Sequence, residues 1–440
     1  MSEDATGSID LTPASMSTAA PTGVACPPTA ATVLDGASAS LARVVAPLSL
    51  VLFLTMLPVT MIVLVLKELK ETFNAGTFWS HAFMSVNMIA AVLAAPVGAA
   101  VADRLSRRKP VLLAALALNA ATLLVMGLLC ARQPVLWVLM IARFVEGAAH
   151  IVVVTSVMAL AGDWAPSARR GRVMGLVGGS LMFGTACGAV IGGRIAGAAA
   201  DRVFHLGAAI IVVAGLLAAG WVRDAGAQRC GTTLRDTLNL IARSRRLLVP
   251  YAYAFIDRLC VGVVVSTLIL YLSEIVNLTP AERGAMLAMF LVPFALLCYP
   301  AGRLADRWGR ALPMGFGSLA FGLVFSAYGL VPHAWLWSVM LASGVLSAIM
   351  FAPNLTMCAD LAPPEHRAAA FAGFNVAGSL GFLVGPLLAG GICTLLEPRL
   401  GTDRAYTITF IITGAAEVLC ALVTLPWLLR LHRAARSAPR

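Results

Sequence analysis

The sequence predicts an all-α membrane protein of about twelve spanning helices, arranged as two six-helix bundles related by pseudo-twofold symmetry. Three observations carry this prediction: composition, the spacing of long apolar runs, and an internal repeat. Of the 440 residues, 60% are hydrophobic and only 12% are charged. That is too little polar surface to cover a soluble globule, so apolar surface must face lipid. A spanning helix needs about 20 mostly apolar residues, and the chain is long enough for about twelve of them joined by short loops.

Apolar runs place the first six helices near 44–66, 78–102, 110–130, 135–160, 172–197 and 204–222. The second six follow near 248–275, 282–302, 312–331, 334–360, 367–395 and 405–430. The longest polar break, Arg223 to Arg246, carries six arginines. It reads as a linker, 223–247, between an N-terminal bundle at 43–222 and a C-terminal bundle at 248–432, with 433–440 as a short tail. Residues 1–42 are rich in Ala, Ser, Thr and Pro and lack the basic start and compact apolar stretch of a signal peptide. They hold Glu3, Asp4, Asp10 and Asp35 with no arginine before Arg43, which argues against a transit peptide and for a disordered tail.

With the N-terminus inside, about 22 of the Lys and Arg residues fall in cytoplasmic segments, so both termini are expected in the cytoplasm of a bacterial inner membrane. The net charge of +11 is spread through many loops rather than gathered on one face, so topology accounts for it and nucleic acid does not. The nine cysteines lack CxxC or Cys/His ligand spacing, and most, such as Cys130, Cys187, Cys260, Cys298, Cys358 and Cys420, lie inside apolar runs. They read as small core residues, and no metal site is expected.

The repeat appears first in the loops after the second and eighth helices. The later copy reads Gly302-Arg303-Leu304-Ala305-Asp306-Arg307-Trp308-Gly309-Arg310; the earlier reads Ala99-Ala100-Val101-Ala102-Asp103-Arg104-Leu105-Ser106-Arg107-Arg108. A small residue lets two helices approach, an Asp at a helix end can meet the positive end of a neighbour, and arginines anchor at the inner lipid surface. A second pair follows the fourth and tenth helices: Asp163, Pro166, Arg169, Arg170 and Gly171 correspond to Asp360, Pro363, Glu365 and Arg367. The succeeding helices carry small-residue faces, Gly184, Gly188 and Gly192 in one half and Gly381, Gly385 and Pro386 in the other. Residues four apart share a helix face, so close crossings are expected there.

The doubled loop resembles the GxLaDRxGRR signature of the major facilitator superfamily, with Ala99 and Ser106 standing where the first copy would have glycines. That resemblance implies the superfamily's fold and a solute transporter. It implies gating roles for Asp103, Arg104, Arg107, Asp306, Arg307, Gly309 and Arg310, through loop contacts with the eleventh or fifth helix that break as the protein changes state. Gly381 to Gly391 resembles the GxxxGPxxGG helix of antiporters, although in the family that motif belongs to the fifth helix, where Ala189 stands in place of the proline.

Charged groups inside a bilayer cost roughly 2.5–3.5 kcal/mol each on the insertion scale, so those that remain are functional candidates. Arg143, Glu146 and His150 share one face of the fourth helix by their three- and four-residue spacing. They resemble the RxxxG motif of proton-coupled members of the superfamily. Glu146 then reads as a protonatable carboxylate near mid-membrane, Arg143 as its charge partner and a substrate anchor, and His150 as a relay or a satisfied core residue. An intrahelical pair that only fixes packing is the alternative. Asp257 and Arg258 in the seventh helix point about 100° apart, so pairing across helices is expected of them, either as a proton or substrate site or as a bridge between halves. Asn354 beside Pro353 is a further binding candidate; Asn87 and Asn375 are lesser ones, and Glu417 in the twelfth helix receives no role.

No GxxxxGK[ST], HExxH, GxSxG or dinucleotide glycine pattern is present, so ATP hydrolysis and enzyme chemistry are not expected. The expected partners are a small-molecule substrate, protons and the bilayer, with no cofactor beyond a proton gradient and with a monomeric chain. The leading expectation is proton-coupled export of a drug, metabolite or siderophore. Proton symport that imports an organic anion or nutrient is the alternative, and a non-transporting membrane sensor is the alternative of another class.

Overall fold

The structure is a computed structural model that describes residues 38–105, 107–132, 135–165, 170–197, 199–224, 245–362 and 367–437. The N-terminal segment 1–37, most of the linker, and Pro166, Arg169, Pro363 and Glu365 lie outside the described residues. Among the described residues, twelve principal helices follow one another. The first six are α1 (Ser38–Val63), α2 (Thr77–Leu105), α3 (Lys109–Ala131), α4 (Leu136–Trp164), α5 (Arg170–Ala196) and α6 (Ala200–Trp221). The second six are α7 (Leu248–Glu274), α8 (Pro280–Trp308), α9 (Ala311–Ser326), α10 (Leu336–Leu361), α11 (Arg367–Leu400) and α12 (Thr402–Ser437). Eleven of these contain described stretches long and apolar enough to cross a membrane, and α9 is the shorter apolar exception.

The apolar runs fixed the helices; their breaks are local chemistry. The first run ends at Val63 and resumes as a short helix, Leu66–Thr72, which turns at Asn74 in the left-handed region. The corresponding turn after α7 is made by Asn277, also left-handed and 203 positions on, the same separation as Asp103 and Asp306. Thr279 then starts α8 with a capping box, accepting from the Glu282 amide while the Glu282 carboxylate accepts from the Thr279 amide, and Pro280 sits at the first helical position. The prediction of 312–331 for the ninth helix was too long, because the helix gives way at Ser326 to a turn before Pro332. The last helix runs on to Ser437, beyond the boundary at 432, since nothing in its Leu428–Ser437 sequence breaks a helix.

Packing repeats with a shift of six helices. α1 lies against α5 as α7 lies against α11; α2–α4 matches α8–α10, α3–α6 matches α9–α12, and α3–α4 matches α9–α10. The main contacts between halves obey the same operation, α5 with α8 and α2 with α11. The glycine faces make close crossings. A Cβ on Gly184, Gly188 or Gly192 would strike Phe53, Leu57 or Met61 of α1, and one on Gly381 or Gly385 would strike the Phe255 or Leu259 carbonyl of α7. Pro386 packs on Gly262 in the second crossing. Spacing by four on both partners is what close helix crossing requires.

The halves are joined at the end away from the chain termini. Lys70 Nζ meets Glu274 Oε1 at 2.7 Å, and Tyr406 donates to Glu274 Oε2 at 2.6 Å. Arg283 pairs with Glu68 at 2.5 Å, and Thr77 donates to Glu397 at 2.8 Å. Ser85 donates to the Leu383 carbonyl at 2.8 Å. Between described residues, the first-half partners of every hydrogen bond or ion pair joining the first six helices to the last six lie between Lys67 and Ser85, no further than about two helical turns into α2.

Candidate functional site

The first cluster lies inside the first half, where α2 crosses α4. Gly147 permits the crossing, because a Cβ there would strike the Asn87 backbone. Arg143 and Glu146, one turn apart, are both buried, and Arg143 Nη1 donates to Glu146 Oε2 at 2.7 Å. Asn87 Nδ2 donates to the same oxygen at 2.6 Å, and the Arg143 guanidinium lies 5.0 Å from the centre of the Phe83 ring. Two short donors to one oxygen and a ring under the cation compensate part of the desolvation that burying two charges costs. Arg143 Nε is buried with no acceptor among the described residues. No hydrogen bond from a described residue reaches Glu146 Oε1, so that oxygen is the open side of the carboxylate. His150 is half-buried on the next turn and makes no hydrogen bond to either neighbour, so it shares the face without joining the pair.

The second cluster lies in the second half. Among the described residues, Asp257 and Arg258 do not find separate charged partners across helices as their spacing suggested. Arg258 Nε comes within 4.0 Å of Asp257 Oδ2, and its guanidinium lies 5.1 Å from the centre of the Phe351 ring of α10. The flexible three-carbon stem of arginine lets its head swing back to the adjacent carboxylate, which positions of Cβ atoms alone do not anticipate. Phe351 also meets Phe294 and Phe374, so the cation sits against an aromatic wall. Asn354, one turn beyond Phe351, is buried with Oδ1 unpartnered.

These clusters do not touch; α4 and α7 share no significant interface. Each half therefore carries one charged cluster, Arg143 with Glu146 in the first and Asp257 with Arg258 in the second. Asn87, a lesser candidate by sequence as an amide in an apolar run, joins the first cluster, whereas Phe83 gave no sequence signal.

The loop motifs also pair within their own halves. Arg108 Nε meets Asp163 at 2.8 Å, and Arg310 forms an ion pair with Asp360 while donating to the Thr356 carbonyl at 3.1 Å. Each ties the loop after α2 or α8 to the end of α4 or α10. Arg104, Arg107 and Arg307 are exposed, Gly309 takes a left-handed backbone at φ 83°, and the side chains of Asp103 and Asp306 are outside the described set. A contact missing from the sequence reading joins the halves at a wide π-helical turn, Val264–Leu268, inside α7. There His81 Nδ1 faces the Thr77 carbonyl at 2.8 Å, which fixes the tautomer, and Nε2 accepts from Thr267 at 3.0 Å.

Comparison with known proteins agrees with this architecture. The family model described as Major Facilitator Superfamily matches residues 48–256 and 251–440. The chain is 25% identical over 186 residues, 41% of its own length, to quinolone resistance protein NorA of Staphylococcus aureus. That match spans 45% of the length of NorA, less than half of it. It is 28% identical over 277 residues to the class G tetracycline resistance protein of Vibrio anguillarum, covering 61% of this chain and 69% of that one. Among solved structures, a bacterial homologue of the human lysosomal transporter Spinster superposes with a TM-score of 0.76 at 13% identity, covering 90% of this chain and 98% of that one. The nucleoside transporter NupG gives 0.73 at 13% identity, covering 87% and 99%; identities this low speak for the fold alone. With the family model matching both halves, in keeping with the doubled helical packing, the chain belongs to the Major Facilitator Superfamily.

Proposed function

We propose that this protein exports a small organic solute across the bacterial inner membrane by alternating access, driven by the proton gradient, as a monomer with both termini in the cytoplasm. The observation that carries the reading is the buried Arg143–Glu146–Asn87 cluster, a mid-helix carboxylate with one oxygen that no described residue donates to. Ionisable groups at such depth mark ion or substrate pathways by default. Among the described residues, the hydrogen bonds and ion pairs between the halves gather toward the end away from the termini, which with the termini inside supports a state open toward the cytoplasm, from which an exporter loads. Likeness to quinolone and tetracycline resistance proteins supports a drug-like or metabolite cargo and export as the direction.

Import of an organic anion by proton symport is the second reading, and one observation favours it: Arg143 Nε is buried without an acceptor and could receive a carboxylate. The test is transport of tetracycline or a fluoroquinolone in everted membrane vesicles, with and without an uncoupler. Accumulation that collapses with the uncoupler and requires Glu146 supports the reading. Accumulation indifferent to the proton gradient removes proton coupling, and outward movement from these vesicles reverses the direction.

A further inference from the structure

Glu417 of α12 is fully buried, and among the described residues no cation accompanies it. The Ser318 hydroxyl of α9 is hydrogen-bonded to its Oε1, and the Cys260 thiol of α7 lies 3.7 Å from its Oε2. Among the described residues, the titratable groups facing it are Asp257, Cys260 and Tyr253 from α7 and Cys420 from its own helix, with the serine contributed by α9. An ionised carboxylate stripped of water costs several kcal/mol unless paired, and none of these groups is positive. The site is therefore built for a neutral, proton-bearing acid.

Its surroundings are also directional. Tyr253, Asp257 and Cys260 are spaced by four and three residues, so they form one stripe along α7. Tyr253 and Thr424 are hydrogen-bonded at 2.7 Å, and Thr424 lies two turns beyond Glu417 on α12. The seam between α7 and α12 is thus pinned by protic side chains on both sides of Asp257, over about 10 Å.

We propose that Glu417 is a second proton-binding site of the transport cycle, exchanging its proton with Asp257 along the seam of α7 and α12. The inference rests on the proton-coupled reading above. In the transfer, the O–H bond at Glu417 breaks as one forms at Asp257, so the charge of the pair is unchanged. Asp257 then no longer neutralises Arg258, and Glu417 is left as a carboxylate. That carboxylate is tolerated only where α7 has shifted and water reaches the seam, which links proton occupancy to conformation.

The experiment is infrared spectroscopy of the full chain in lipid vesicles at neutral pH, following the carbonyl stretch of protonated carboxyl groups as H₂O is replaced by D₂O. The wild type should show a carboxylic acid band that E417Q lacks and D257N keeps. That band should shift on deuteration, about 10²-fold more slowly in D257N, the low end of what a positioned proton-transfer group contributes. Should E417Q fail to fold, S318A must move the same band, because it removes the hydroxyl bonded to Oε1. The proposal is overturned by a band unaffected by E417Q or S318A, by one that does not exchange, or by equal exchange rates in wild type and D257N. No solute transport is measured, so these outcomes are independent of whether an uncoupler stops transport.

Discussion

Replacing Glu146 with glutamine isolates the energetics of the buried pair. The Arg143 side chain is 5% exposed, and its one carboxylate partner is Glu146, at 2.7 Å. Glutamine keeps the shape and an amide oxygen but removes the counter-charge, leaving a guanidinium whose Nε already lacks an acceptor. Removing one member of a buried pair costs about 3–5 kcal/mol. The retained amide acceptor and the Phe83 ring, 5.0 Å from the cation, place the loss near the lower bound, about 3 kcal/mol. That is about a hundredfold in the unfolding equilibrium. The assay is unfolding in mixed micelles by titration with a denaturing detergent, read by tryptophan fluorescence. The double variant R143Q/E146Q buries no charge there and should be more stable than E146Q alone. An E146Q protein as stable as wild type, or a double variant whose loss equals the sum of the two single losses, would refute the argument that the charges depend on each other.

Other predictions follow from the same coordinates. Gly381→Ala places a methyl on the Phe255 carbonyl and should cost about 1–3 kcal/mol in the micelle assay, whereas Gly179→Ala meets nothing within 4 Å and should be neutral. Removing the far-end tie with Lys70→Gln should lengthen or broaden the distance between spin labels at Glu71 and Asn277 in a cysteine-free background; an unchanged distribution would show that the apolar crossings alone hold the halves together. Arg108→Gln should destabilise the terminus end by about 1–2 kcal/mol, because its partner Asp163 is part-buried and loses a charge-assisted bond. Asp257→Asn should abolish uncoupler-sensitive transport while the protein remains folded, and near-normal accumulation would sink its role in coupling.

The fold was legible because its causes are written in one dimension. Lipid demands about 20 apolar residues per crossing, and a duplicated architecture leaves duplicated loops, here Asp103 with Asp306 and Asp163 with Asp360. The glycine spacing likewise announced two close crossings, since helix periodicity alone puts Gly184, Gly188 and Gly192 on one face. The Arg143–Glu146 bond followed from the same periodicity.

What the chain alone could not determine depends on which helices become neighbours. Asn87 donates to Glu146 only because Gly147 lets α2 approach α4, and 59 residues separate the two partners. Asp257 and Arg258 turned to each other because Phe351 of α10 offers the cation a ring. The π-helical turn of α7 carries no periodic signature, and it sits where His81 reaches across from the other half. Glu417 had no role by sequence, for a lone acid in an apolar helix acquires one only from what surrounds it. Periodicity and hydropathy set which face each helix buries, whereas packing between helices distant in sequence decided which polar groups would share that burial, and so where the charged clusters lie.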